Sequence, residues 1–532
     1  MNKNNIESIY PLSPTQEGML FHTLYAPESG VYFQQLSCGL RGAVNVPALQ
    51  EAWQRVADRH PVLRTSFVWG RREKSLQVVR PHLKLSWNRQ DLRGLPVAVQ
   101  QAHLDAFHRA ERARGFELTK APLMRLALIR LTDDSYQFVW SYHHLILDGW
   151  SASMLIQEVF TFYDAFNRGD DPYLVRPRPY RDYIAWLKQQ DLTQAEAFWR
   201  RLLAGVTAPT AFGVERAAEG AATEDDEVSQ QQVRLSAEVT ARLQHLARQH
   251  KLTLSVVVQG AWALLLSRYS GDERVVFGLT VSGRPTTLQG AESMLGVFIN
   301  TLPVGIDVPD HESPASWLTE LQRQHAERQQ FESSPLVQVQ GWSDVPRGLP
   351  LFNSILVFEN YPVDASLQGR AAQEGLQDLS VHVEHADERT NYPLTVLVLP
   401  GRELCIELRY ERRHFHDEAI TRMLLHLQNL LEGFAAAPQQ KLADVEMLSE
   451  DERRQLFVEW NNTKTEEGEE GVVELFETHA RRTPDSVAVG CAGLTLTYAE
   501  LDRLSTRVAR RLARRGAAPE RVVAVLAERG AG

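Results

Sequence analysis

Two adjacent histidines, His143 and His144, stand in the run YHHLILDGWS (Tyr142–Ser151), a few residues ahead of Asp148-Gly149. A neutral imidazole of ordinary pKa, ~6.5, can accept a proton at pH 7. In a strand, Phe138, Trp140, Tyr142 and His144 share one face, and Val139, Ser141 and His143 the other. The two rings then diverge, and at most one of them acts on a given atom. The bland alternative makes both core histidines bonded to main chain. Zinc is a poor third choice, because adjacent strand residues point apart and no third soft ligand is near in sequence. Asp148-Gly149 supplies a tight turn before a helix start, whose main-chain N–H groups suit a developing oxyanion. A buried Asp148 is at least as well suited to holding an arginine.

The elements that must position this run follow from periodicity. PLMRLALIRL and SYQFVWSYHH read as strands joined by the turn TDDS, the second largely apolar on both faces and hence buried on both. After Gly149, SASMLIQEVFTFYDAF reads as a helix capped by Ser151, with Leu155, Val159, Phe162 and Phe166 as its apolar stripe. Upstream, PALQEAWQRVADRHP reads as a helix with Pro47 in first position and Leu49, Trp53 and Val56 on one face. VLRTSFVW reads as a strand with Leu63, Phe67 and Trp69 on one parity. A second block adds helices AEVTARLQHLARQH and SVVVQGAWALLLSRYS, then strands RVVFGLTVS, LFNSILVFENYP and ELCIELRYE. Two such blocks fit an α/β architecture of two lobes around one cleft.

The connector 204–231, poor in large apolar residues, divides lobes 1–203 and 204–447. Residues 448–470 end in an acidic, glycine-containing linker, and 471–532 open a new helix-strand pattern too short to complete a large domain. A chain of 532 residues exceeds one core, since cores stop growing at roughly 250–300 residues. The net charge of −10, with no basic block, argues against a nucleic-acid partner. No apolar signal segment opens the chain, and the run Leu252–Leu266 is too short and interrupted to span a bilayer. Cys38, Cys405 and Cys491 are scattered, so neither a zinc knuckle nor a disulfide framework is implied. A cytoplasmic monomer with no membrane partner is the expectation.

HHLILDG matches the HHxxxDG motif of the condensation domains of non-ribosomal peptide synthetases, and its neighbours are collinear with that family's other blocks. LSPTQEGMLFHTL (12–24), RHPVLRTSF (59–67), YRDYIAW (180–186), VSGRP (281–285) and LGVFINTLPV (295–304) resemble further family motifs. FESSPLVQVQ keeps the sixth motif only loosely, and the last is reduced to Asp387, Asn391, Pro393 and Leu394. LTYAEL (496–501), after LFETHARRTPDSVAV, looks like the opening of an adenylation domain.

The resemblance implies a V-shaped pseudo-dimer of two chloramphenicol acetyltransferase-like lobes around a central channel. It implies amide formation between two thioesters, each carried on the phosphopantetheine arm of a peptidyl carrier protein, one upstream and one downstream. The chain would bind no cofactor of its own. His144 would face the channel as general base or as an orienting group, and His143 would pack. Asp148 would pair with Arg284, Gly149 would let backbone approach the thioester, and Arg64 and Asn300 would support the channel. IESIYPLSPTQEGMLFHTL resembles modules that receive a chain, often ending in a D-residue, from another synthetase polypeptide; the leader before Tyr10 would then dock that polypeptide. The alternatives are a coenzyme A-dependent acyltransferase and a non-catalytic carrier-binding module.

Overall fold

The computed structural model describes residues 6–70, 74–216, 228–359, 379–387, 389–463, 471–491 and 493–526. The leader residues 1–5, the connector residues 217–227, the strand end 360–362, Glu388 and the linker residues 464–470 lie outside them. The chain forms two compact units, Met1–Ser449 and Glu450–Gly532.

The first unit holds two large sheets. One takes β2 (Phe33–Gly42), β5 (Trp87–Asp91), β6 (Met124–Arg130), β7 (Ser135–His143) and β12 (Leu379–Asp387) in the order β12-β2-β7-β6-β5. All its pairings are antiparallel except β5 with β6. α2 (Val46–Arg59) covers one face: Asn45 caps it through the Ala48 amide, Pro47 sits in its first turn, and Leu49, Trp53 and Val56 turn inward. Trp53 meets Trp140 at 5.2 Å between ring centroids, the heart of the first core. α4 (Gly149–Asn167) adds Leu155, Val159 and Phe162 to it. The opposite face of β7 is also buried, but polar. Gln35 donates to Ser141 Oγ at 3.1 Å and Gln137 to Ser37 Oγ at 2.8 Å, and α3 (Val97–Arg114) reaches this face through His108.

The second sheet runs β10-β9-β11-β13-β14-β8, from β8 (Val228–Arg234), β9 (Arg274–Val281), β10 (Asn300–Asp307), β11 (Ser354–Phe358), β13 (Leu394–Leu399) and β14 (Cys405–Glu411). Its central helix, α8 (Leu254–Ser270), is buried without a break from Val256 to Leu266, which explains its lack of a polar face. Among the described residues no single helix is long and apolar enough to cross a membrane.

Two lobe assignments change. α6 (Thr193–Leu202), placed by sequence in the first lobe, contributes Phe198 and Trp199 to the second core. β12, placed in the second lobe, pairs with β2 and extends the first sheet. Chain order misses both, because an amphipathic segment packs on whichever apolar face it reaches. The expected strand VLRTSFVW also shortens: Pro61–Arg64 form a 3-10 turn and only Thr65–Val68 (β3) are extended.

The second unit has a helix at Val472–Arg482, a hairpin of Val487–Cys491 with Leu494–Thr497, and a helix at Tyr498–Arg514. Thr497 and Glu500 of LTYAEL form a reciprocal cap on that last helix.

Candidate active site

β7 ends at His143, and His144 opens the turn that leads to α4. Strand alternation therefore places His143 but not His144. The two rings still enter different surroundings. His143 lies edge-on to Phe116 at 6.3 Å. Its Nδ1 accepts the Leu145 amide at 3.1 Å, so its proton sits on Nε2, 3.4 Å from Thr23 Oγ1. Burial, with His144 beside it, pushes its pKa down to about 3. Neutral and bonded at both nitrogens, His143 has no lone pair to offer a substrate.

The turn bearing His144 is held from three sides. The His144 amide donates to the Tyr32 carbonyl at 2.9 Å, and the two rings meet edge-on with centroids 6.3 Å apart. Tyr32 has φ +64°, a left-handed conformation costing a bulky residue about 1–3 kcal/mol. From α1 (Pro14–Tyr25), fully buried Gln16 donates to the Leu145 carbonyl at 2.7 Å. The third side is Asp148, entirely buried.

Asp148, not Ser151, caps α4: its Oδ1 accepts the Ser151 amide at 2.7 Å. Its Oδ2 accepts the Phe298 amide at 2.8 Å, and its own amide donates to the Gly296 carbonyl at 3.1 Å. Ser151, freed from capping, donates to the Gly296 carbonyl at 2.9 Å and accepts the Gly296 amide at 3.1 Å. The Ser151 and Ala152 amides are both taken up by Asp148, so that part of the helix end does not serve as the expected oxyanion site. Gly149 is the first residue of α4 and is not among the glycines with positive φ; what it offers is the absence of a side chain.

Arg284 Nη2 lies 3.5 Å from Asp148 Oδ1. Its shorter contacts go to Ser151 Oγ at 2.9 Å and to the Ala291 and Met294 carbonyls at 2.5 and 2.9 Å. The guanidinium rests on the Phe298 ring, 4.1 Å from its centroid. Burial lowers the Arg284 pKa while Asp148 opposes the shift. Arg284 thus folds the 284–298 loop of the second sheet over the first lobe, where Leu295 and Val297 join the first core. Gly296 is required there, since a Cβ would stand 2.1 Å from the Tyr180 ring.

The remaining two expected residues lie apart from the histidine turn. Buried Arg64 bonds the carbonyls of Ala57, Asp58, Arg80 and Pro81 and pairs with Glu7 at 2.5 Å, a main-chain bracket rather than a channel group. Asn300 opens β10, donates to the carbonyls of Glu332 and Ser334 at 2.9 and 2.7 Å, and lies 3.5 Å from Thr15 of α1. It ties the lobes together.

Sequence reasoning passed over Gln16 and His22, although both sit inside the quoted QEGMLFH, and Gly296 inside LGVFINTLPV. Tyr32 carried no signal. Its φ and its partner, Asn391, are products of the fold.

One lobe thus supplies the histidine turn and the other fastens a loop onto its far end, an arrangement of the two-lobed acyltransferase class. Comparison with known proteins narrows it. Residues 6–457 match the family described as Condensation domain, and residues 476–532 the family described as AMP-binding enzyme. The chain belongs to the condensation-domain family of non-ribosomal peptide synthetases. It is 44% identical over 528 residues to one polypeptide of the linear gramicidin synthase of Brevibacillus parabrevis, covering 99% of this chain and 10% of that protein. It is 36% identical over 524 residues to bacitracin synthase 3 of Bacillus licheniformis, covering 98% of this chain and 8% of that one. The chain spans about a tenth or less of the length of these relatives. Its fold is similar to part of a four-domain nonribosomal peptide synthetase bound to AMP and glycine, with TM-score 0.73, 18% identity, and coverage of 96% of this chain and 39% of that one. It is likewise similar to the first condensation domain of the calcium-dependent antibiotic synthetase, with TM-score 0.67, 17% identity, and coverage of 83% and 100%. The V-shaped pair of lobes is the arrangement of such condensation domains.

Proposed function

We propose that this chain joins an aminoacyl or peptidyl thioester on an upstream carrier protein to the amine of an aminoacyl thioester on a downstream carrier. The reading rests chiefly on one observation: His144 stands just past the strand end with its amide fixed by Tyr32, while His143 is neutral and bonded at both nitrogens. The attacking amine adds to the thioester carbonyl, the C–S bond breaks as the tetrahedral oxyanion collapses, and the phosphopantetheine thiolate leaves. The proton lost by the amine passes to His144 and on to the departing thiolate, or His144 holds the amine in line by a hydrogen bond. Asp148 and Arg284 hold the turn rather than touch the substrate.

By this reading the chain works in the cytoplasm with two carrier proteins, takes no cofactor of its own, and continues through linker 448–470 into the start of an adenylation domain at 471. A docking role for the N-terminal leader is part of the same proposal. The test mixes the protein with chemically loaded donor and acceptor carriers and seeks the condensed product by mass spectrometry. Product from wild type and not from His144→Ala supports the reading. Transfer from a free acyl-coenzyme A without carriers, or carrier binding without product, contradicts it.

A further inference from the structure

Tyr32 is the third residue of a turn closed by the Phe33 amide on the Gly30 carbonyl at 3.3 Å. A turn position with positive φ ordinarily falls to glycine or asparagine. A tyrosine stands there against its backbone preference, and its side chain makes contacts that glycine could not. Its main chain links two segments distant in sequence: the Tyr32 amide donates to the Arg389 carbonyl at 3.2 Å, and its carbonyl accepts the His144 amide at 2.9 Å. Its hydroxyl donates to Asn391 Oδ1 at 2.8 Å. The other end of that amide, Nδ2, lies 3.5 Å from Nε2 of His22 on α1. Burial lowers the His22 pKa, which favours the neutral ring able to accept from Nδ2 and so fixes which way the Asn391 amide points. The ring of Tyr32 is then held edge-on to His144.

We propose that Tyr32 is a positioning residue for the condensation reaction, its phenol pinned by Asn391 so that the His144 ring is held at a fixed angle and depth. The chain 389–391 follows directly on β12, the strand that crosses from the second lobe's part of the sequence into the first sheet. Tyr32 therefore registers His144 against that crossing segment as well as against its own sheet. Asn391 and, behind it, His22 act through Tyr32 and touch no reacting atom in this scheme.

The proposal rests on His144 being the reactive histidine, and one set of measurements separates the two. Rates of amide formation are measured with loaded carriers at varied acceptor concentration for wild type, Tyr32→Phe, Asn391→Ala, the double variant, Tyr32→Gly and His144→Ala. Tyr32→Phe keeps the ring and loses the bond to Asn391. It is expected to lower kcat about 10-fold or more, with half-saturation by acceptor carrier unchanged. Asn391→Ala is expected to do the same, and the double variant to be no slower than the slower single one, since both remove one interaction. Tyr32→Gly suits the backbone and removes the ring, and is expected to be at least as slow as Tyr32→Phe. Wild-type kcat in Tyr32→Phe, a loss confined to half-saturation, or losses that multiply in the double variant overturns the positioning role. Wild-type rate in His144→Ala instead overturns the reading of His144 on which it stands.

Discussion

The carboxylate of Asp148 accepts the main-chain amide of Phe298 at 2.8 Å, across 150 residues of sequence. With Arg284 at 3.5 Å and the Ser151 amide on its other oxygen, this one buried group holds both the histidine turn and the loop that covers it. Removing either partner leaves polar groups buried and unpaired. Asp148→Ala is expected to destabilise the protein by about 3–5 kcal/mol, because Arg284 loses its counter-charge and two amides their acceptor. Arg284→Ala is expected to cost about 2–4 kcal/mol, since Asp148 keeps both amide donors. Denaturant unfolding of the two single variants and the double one checks this. The double variant is expected to cost less than the sum.

Gly296 leaves no room for a side chain, its missing Cβ being 2.1 Å from the rigid Tyr180 ring. Tyr180 cannot simply swing away, because its hydroxyl donates to the Val297 carbonyl at 2.6 Å. Gly296→Ala is expected to cost at least about 1–3 kcal/mol. A smaller residue at 180 is expected to recover part of that, as read by the thermal midpoint of Gly296→Ala with and without Tyr180→Leu.

His143 is depressed to a pKa of about 3 in the folded protein, while in an unfolded chain it is ordinary. Its contribution to stability is therefore complete above pH ~6.5 and is lost as pH falls from there towards 3, because the unfolded state takes the proton first. The slope from this one group approaches about 1.4 kcal/mol per pH unit below ~6. Stability against pH between 7.5 and 4.5, for wild type and His143→Gln, is expected to differ by close to one proton in slope.

Gln16 closes the other side of the turn, and it has no solvent to fall back on. It donates to the Leu145 carbonyl, exchanges bonds with Gln77 and accepts the Ser13 amide in the cap of α1. Gln16→Leu keeps the size and strips these bonds. It is expected to lower stability by about 2–4 kcal/mol in denaturant unfolding and to slow condensation more than Gln77→Leu does, because Gln16, not Gln77, bonds the Leu145 carbonyl.

Periodicity was enough to read α2 and α4, down to the inward Trp53 and Phe162, since their apolar stripes face one sheet. It placed His143 but not His144, which lies past the strand end, and Arg284 came from the family resemblance rather than from periodicity. The cap was misread, because Asp148 and Ser151 are both good caps and the choice was made by Gly296, which bonds Ser151 from another lobe. The lobe boundary failed for a related reason: β12 and α6 pack on the core they can reach rather than the one nearest in sequence. Tyr32 was invisible because a left-handed tyrosine contradicts local preference, and its main chain bonds residues 144 and 389, distant in sequence.

The most direct measurement is the rate of amide formation by His144→Ala with saturating loaded donor and acceptor carriers, alongside its thermal midpoint. The expected result is a fall of about 10²–10⁴-fold with the midpoint close to wild type, as for loss of a general acid–base or orienting group. A variant that folds and condenses within a few-fold of the wild-type rate would contradict the assignment of the chemistry to His144.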